Sequence, residues 1–416
     1  MIPKTTIWHA SAMCLCLSQT ASADIALDTF ALLDLRSVVV DGSSDNWLTG
    51  GLEPLRFDSS GTALQLGQAI FGTNVDFTPF VKLSGYVSAY DDDGESLGLN
   101  ELFLTYRPLP INGYRLSGRA GIFFPEISLE NTSPGWTSTH VLSNSAINAW
   151  IGEEIKNTGV EIKLERLGKY HFSSWDAAVE IAAFEANDPA GSLLTWRGWG
   201  IHDRQIRYQE QTRFAALPML TEAGVFNAQS PYFDPNIEID DRTGYSGGLT
   251  LKHSSHFAIH SFFYDNNADP KAIKDGQYSW HTRFAHIGVL SPRFGSTRLK
   301  AQYLIGDTIM GDTKTAMVNA DYSSWYASID HDLQGWRFTL RYDDFSVDDN
   351  DITLMDTNNQ DGDAWTIAAA HKFGSNVKVL AEALLIKDRN EARMYFGNEI
   401  DQRSTQFQIA IQWRAE

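Results

Sequence analysis

Beyond residue 23 this 416-residue chain contains no cysteine, because Cys14 and Cys16 both fall earlier. Disulfide staples are excluded, so packing and hydrogen bonding must hold the fold. No run of eighteen apolar residues follows residue 23 either, which excludes a transmembrane helix. That absence does not exclude a membrane. A barrel strand needs only about 9–11 residues, with every second one facing lipid. Positive charge is also scarce: 33 Lys and Arg stand against 52 Asp and Glu, a net charge of −19. With no basic tract or stripe, nucleic acid is not a partner.

Residues 1–23 read as a cleavable export signal. Lys4 gives a small positive start, Ala12 to Leu17 a short apolar stretch, and Ala21-Ser22-Ala23 an A-x-A cleavage site. Neither cysteine follows a lipid-anchor box. Removing this segment removes Lys4 and no acid, leaving 32 basic and 52 acidic residues. Length alone suggests two or three domains for 24–416, but a closed β-barrel breaks that expectation.

Polar–apolar alternation runs almost end to end. In "WRFTLRYDDF" (336–345), Trp336, Phe338, Leu340 and Tyr342 share one face, and Arg337, Thr339, Arg341 and Asp343 the other. In "TQFQIAIQW" (405–413), Phe407, Ile409, Ile411 and Trp413 oppose Gln406, Gln408 and Gln412. "VEIKLE" (160–165) alternates in the same way. A period of two over such lengths predicts strands. About sixteen segments fit, with fourteen or eighteen open because 315–331 is long enough to split. "DLQG", "FGSN", "HSSH" and "SPRFGS" read as tight turns, while 188–242, 267–278, 307–320 and 348–362 read as long loops. Short turns at one end and long loops at the other predict an all-β, transmembrane antiparallel barrel. Tyr106, Tyr114, Trp175, Tyr245, Tyr264, Trp325, Trp336, Tyr342, Trp365 and Trp413 lie near strand ends. They form aromatic girdles on this reading, or are simply good strand residues on the plainer one.

If the apolar face meets lipid, the other face lines the lumen. It carries Lys82, Arg115, Arg119, Lys163, Lys252, Arg298, Lys300, Arg337 and Arg341, with Glu101, Glu161, Glu165, Glu180 and Asp343 among them. Such a basic excess favours anions, or pairs across strands and stiffens the wall. Acid concentrates in the loops: "DDDGE" (91–95), "DDNDI" (348–352) and "DTNNQDGD" (356–363). The last lacks the glycine position and closing Glu of a calcium loop, so no metal is assigned. Gly244-Tyr245-Ser246-Gly247-Gly248 matches G-x-S-x-G but runs into a strand, not a strand-to-helix elbow. His281 and His286 lie five apart on a strand, which is not a zinc-site spacing. Asn131-Thr132-Ser133 is a glycosylation sequon by pattern only. No catalytic residue and no cofactor is assigned.

At "GRAGIFFPEISLEN" (118–131) a strand stops at Pro125, and no strand pattern returns before Glu154. Ile147, Trp150 and Ile151 share one face of a short helix that Asn144 or Ser145 would cap. Trp136 is a second anchor. Such a segment gains from packing against the inner wall; the alternative is a surface lid or subunit contact. The strand ending Gly-x-Phe-Phe-Pro, followed by a turn, is similar to the matching region of the sixteen-stranded phosphate-selective porin family. That resemblance implies an outer-membrane porin, with 124–154 as a third loop folded into the barrel to constrict it. Glu126, Glu130, Trp136, Trp150, Glu153 and Glu154 would then stand at the constriction. The sequence departs from a phosphate site in offering those glutamates and only Lys156, and it ends Trp413-Arg414-Ala415-Glu416 where such barrels end on an aromatic. The long loop 188–242 adds Trp196, Trp199, Arg197, Arg204, Arg207 and Arg213. The resemblance implies passive diffusion of small polar solutes, and the basic excess of the inward face adds an anion bias. Its implied partners are outer-membrane lipid and lipopolysaccharide, and a homotrimer is compatible with it. Two other readings stay open: a specific channel for sugars, aromatic acids or polysaccharide, and a non-conducting structural or adhesion barrel.

Overall fold

The computed structural model describes residues 25–42, 46–59, 64–92, 97–312 and 316–415. The expected export signal lies outside them. Alternation becomes strand throughout, and sixteen strands close into one antiparallel barrel. They are β1 Ala26–Asp41, β2 Leu64–Thr78, β3 Val81–Ala89, β4 Leu97–Tyr106 and β5 Tyr114–Phe123. Next come β6 Asn157–Arg166, β7 Trp175–Glu185, β8 Gly244–His253, β9 Ala258–Asp265, β10 His281–Leu290 and β11 Thr297–Asp312. The last five are β12 Ala316–Leu333, β13 Trp336–Asp349, β14 Gln360–Phe373, β15 Val377–Asn390 and β16 Asp401–Ala415. β16 closes on β1 in register, with Val39 opposite Phe407 and Asp34 opposite Gln412. No helix among the described residues is long and apolar enough to cross a membrane.

Outward positions carry the large exposed apolar side chains, among them Leu104, Ile181, Phe263, Ile305, Leu340 and Ile409. Such a surface suits the hydrocarbon of a bilayer. Inward positions toward the long-loop end are buried, because loops fill the interior there. Tight turns gather at the end that holds both Ala26 and Ala415. One is the two-residue hairpin Gln334-Gly335, with φ of 50° and 83°. Both central residues are left-handed, the geometry whose twist matches paired strands.

The expected count of about sixteen strands holds, and 315–331 does not split. Three expectations change. Residues 307–320 are not a long loop: β11 runs on to Asp312 and β12 resumes at Ala316. "GDTIMGD" read as a loop for its Asp and Gly, yet Thr308 and Met310 are buried inward-facing residues. Asp307 points outward and pairs with Arg283 at 2.7 Å. A strand of 16 residues exceeds what a bilayer needs, so its far end can carry Asp in water. The third loop runs to 156, since β6 begins at Asn157. Tyr264 is no girdle residue; it faces inward, fully buried, stacked on Phe184 and Phe284.

A bulge at β4 matters for the interior. The register with β3 shifts between Tyr86 and Val87, where Tyr86 meets Glu101 and Val87 meets Leu99. The extra residue lets Asn100 and Glu101 both reach inward contacts, as bulges re-aim side chains.

Candidate functional site

The site is the barrel interior, and the third loop enters it because of Pro125. Proline has no N–H to give the ladder, so β5 stops. The Phe124 N–H donates to Glu101 Oε1 at 3.2 Å, and the Phe124 ring stacks on Trp136 at 4.6 Å. Ser145 then caps helix α1, Ala146–Glu154, accepting from the Asn148 N–H. All nine residues of α1 are buried. Trp150 meets Phe284, Tyr322 and Trp199 edge-on at 5.2 to 5.8 Å. Ile147 and Ile151 join the same cluster. Each such side chain contributes roughly 1.5–3 kcal/mol by leaving water.

The loop's four glutamates divide between two partners. Glu126 and Glu130 face the wall. Glu126 lies 3.1 Å from Lys163 and 3.7 Å from Arg119. Glu130 lies 2.7 Å from Arg341 and accepts the Ser145 N–H. Burial alone would raise both carboxyls, but the neighbouring cations hold them below the usual range. Glu153 and Glu154 face the fourth loop, residues 186–243. Arg197 and His202 grip Glu153; burial opposes them, and its carboxyl still sits at about 2. Glu154 caps helix α2, Ser192–Arg197, and burial pushes its carboxyl up to about 7. Lys156 donates to the Ile206 carbonyl at 2.7 Å, and burial brings its amine down to about 7. The third and fourth loops are therefore one packed body.

That body meets the wall in two ways. Toward β9–β15 the long-loop half of the inner face is apolar, with Tyr264, Phe284, Leu304, Tyr322, Phe345 and Leu384 in the main core cluster. Toward β1 and the first and second loops the contact is ionic, and toward β16 it is made by an amide. Asp203 lies 2.7 Å from Arg36 of β1 and 3.2 Å from Arg56 of the first loop. Arg204 bridges Asp92 at 2.6 Å and Glu210 at 2.5 Å, and Arg207 also meets Glu210. Burial opposes ionisation of Asp203 and Glu210, but these guanidiniums keep both carboxyls low, Glu210 at about 2. Tyr90 lies under Arg56 and Arg204.

The expected wall residues all occupy inward positions, and most are paired. Arg119 meets Glu161 at 2.8 Å, Arg115 meets Glu165 at 3.3 Å, and Lys163 meets Glu180 at 2.9 Å. Lys300 meets Asp330 at 2.9 Å, Arg337 meets Asp332 at 2.5 Å, Arg341 meets Asp343 at 2.7 Å, and Lys82 meets Asp76 at 3.5 Å. Lys252 and Arg298 have no ion-pair partner among the described residues. The basic excess read from sequence is thus largely neutralised by cross-strand and loop carboxylates. Sequence reasoning missed Arg36, Arg56, Asp203, Glu210 and Glu382. Asp34 and Arg36 hold the polar register of "LLDLRSVVV", so alternation could have found them; the loop residues carry no such signal.

Every strand contributes a buried inward residue to a belt that includes Arg36, Asn100, Phe123, Tyr264, Leu304 and Gln406. The two loops fill the interior over that belt. Below it, at the short-turn end, lie recesses of which two carry most of the lining charge. One of about 720 Å³ is lined by seven basic and four acidic residues, Lys163, Lys252 and Glu126 among them. The other, about 780 Å³, is lined by Arg337, Lys372, Lys378 and Arg414 against Asp332 alone. A smaller recess of about 240 Å³ opens at the long-loop end between Glu53 and Arg393.

A closed sixteen-stranded barrel, apolar outside and narrowed from within by its third loop, is a porin-like barrel. No family model and no curated protein matches the chain. Among solved structures it is similar to OmpT with loop L8 deleted, an outer membrane protein of Vibrio cholerae. The TM-score is 0.51 at 10% identity, covering 94% of this chain and 99% of that one. The trimer form of in-vitro folded OmpT gives 0.51 at 9% identity, covering 94% and 99%. Salmonella typhi OmpF in complex with daunomycin gives 0.50 at 12% identity, covering 94% and 97%. At such identities the likeness is one of fold.

Proposed function

We propose that the protein is an outer-membrane porin-type channel that passes small polar solutes, exported with residues 1–23 removed, and without catalysis. The observation that carries this reading is a closed barrel, apolar outside, whose charged interior is narrowed by the third and fourth loops. Solute access is set by both loops, so the open area is smaller than a barrel of this size permits. The two basic recesses at the short-turn, periplasmic end support an anion bias, because fixed cations in a narrow low-dielectric mouth concentrate anions. The trimer form of the Vibrio cholerae protein supports a homotrimer. Outer-membrane lipid and lipopolysaccharide are the surroundings this outer face fits.

A second reading, a non-conducting barrel of structural or adhesive role, is favoured by the buried belt. One experiment separates them. Purified folded protein in a planar bilayer is compared with a variant in which 188–242 is replaced by a short Gly-Ser linker. Small steps from the wild type and large steps from the variant support the channel. A silent wild type beside a conducting variant overturns it in favour of the plugged barrel.

A further inference from the structure

We infer that water and solute cross this barrel along the inward face of β16, a ladder of amides against the wall, with Leu142 of the third loop as its stop. The inference rests on the channel reading and adds where the path runs. From the long-loop end the inward residues of β16 are Ser404, Gln406, Gln408, Ala410, Gln412 and Arg414. Elsewhere the buried inner wall is mostly apolar, ion-paired or, as at Gln302 and Thr366, already hydrogen-bonded, and uncharged amides both donate and accept.

At the short-turn end the ladder reaches open space directly, and at the long-loop end it does so through a buried ion pair. At the long-loop end Asp388 stands opposite Gln402 and holds Arg393 at 2.6 Å; Arg393 lines the 240 Å³ recess. At the other end Gln412 stands opposite Lys378, and Lys378 with Arg414 lines the 780 Å³ recess. Between them Gln412 donates to Asp34 at 2.7 Å, and Gln408 accepts from Arg36 at 3.1 Å. The side chains are not fully used. The Oε1 atoms of Gln406 and Gln412 are buried with no hydrogen-bond partner among the described residues, as is Oε1 of Gln68 nearby on β2. Buried amide oxygens left without protein partners are costly unless water serves them. Two such oxygens, one on each side of the hydrogen-bonded Gln408 and Ala410, mark wettable points along the ladder.

The ladder is interrupted once. At Ala410 the rung is apolar, and Leu142 packs there against Ala410, Leu380 and Ala370. The Leu142 N–H donates to Glu382 Oε2 at 2.6 Å, and Glu382 in turn accepts from Gln408. A lone leucine held by a wall carboxylate across a polar file is the arrangement of a dewetting stop.

The absence of cysteine after residue 23 makes the test clean. Single cysteines replace Gln406 and Gln412 on the ladder and Leu304 and Val318 on the apolar wall. The folded barrels, checked by heat-modifiable gel mobility, are exposed to a small anionic methanethiosulfonate. Modification at Gln406 and Gln412, with neither Leu304 nor Val318 modified, is expected. Modification at Leu304 or Val318, or none on the ladder, overturns the path. In the bilayer Leu142→Ala is expected to raise unit conductance about twofold or more, and an unchanged value overturns the stop. A silent wild type strikes the channel reading instead, whereas the labelling pattern reads the wettable path alone.

Discussion

Glu154, the last residue of α1, accepts the backbone N–H of Leu193 at 3.0 Å, so a carboxylate of the third loop caps the helix of the fourth. The same carboxylate takes the N–H groups of Gly191 and Leu194, each at 3.0 Å, and the Trp150 indole N–H at 2.6 Å. Four donors on one buried carboxylate make it the joint of the plug. Glu154→Ala leaves those donors without an acceptor and is expected to weaken docking by about 2–4 kcal/mol. Limited proteolysis reads this as new cleavage within 187–215 while the strands resist.

The same joint gives a pH dependence with a defined sign. Burial raises the Glu154 carboxyl from an ordinary 4.5 to about 7 when the loops are docked. The docked state therefore binds the proton more tightly. This contribution is complete below about 4.5 and is lost as pH rises through 7, a difference of roughly 3 kcal/mol. His202 and His140 are pushed down by burial and work the other way as pH falls below 6.5. The comparison is consequently wild type against Glu154→Gln, which cancels them. Hydrogen exchange of fourth-loop amides at pH 8 and 5 should show more added protection in the wild type than in the variant. Equal changes in both would refute the assignment.

Arg341 ties the wall to the third loop. It meets Glu130 and Asp343, each at 2.7 Å, and donates to the carbonyls of Ser143 and Asn144. Arg341→Ala strands two buried carboxylates and is expected to cost about 3–5 kcal/mol in denaturant unfolding. Arg283 and Asp307 sit at the same 2.7 Å but half-exposed on the outer face. Arg283→Ala is expected to cost less than about 1 kcal/mol. Similar losses from the two variants would mean that burial does not set their worth.

The contrast explains what could be read in advance. Strands such as β13 and β16 were legible because an apolar outer face and a polar interior impose a strict period of two. Pro125 and the spacing of Ile147, Trp150 and Ile151 made an inward-folding third loop legible as well. The far ends of β11 and β12 were not, since there the outward residues, Asp307 among them, lose the apolar half of the pattern. Tyr264 was misread because alternation gives the face only if the neighbours are polar, and β9 is aromatic on both sides. Arg56 and Asp203 meet across 147 residues of chain, and nothing local in either loop encodes that meeting. The pairing of wall cations with loop glutamates has the same origin, so the apparent basic excess could be discounted only in three dimensions.

Ion selectivity is therefore expected to reside in the few cations that pairing leaves over. Lys252 lines one recess at the short-turn end and Lys372 the other, and neither has a carboxylate within ion-pair distance among the described residues. Wild-type channels in a tenfold KCl gradient should show a reversal potential on the anion side. Lys252→Glu with Lys372→Glu changes the two mouths by two charges each, and should move the reversal potential toward cations. The shift should shrink at about 1 M salt, where the screening length falls to about 3 Å. Arg119→Gln is the contrasting variant: it disturbs the Glu161 pair at 2.8 Å and should alter stability more than sign. A wild type already cation-selective would show that the acidic loops outside, not the recesses within, set the field.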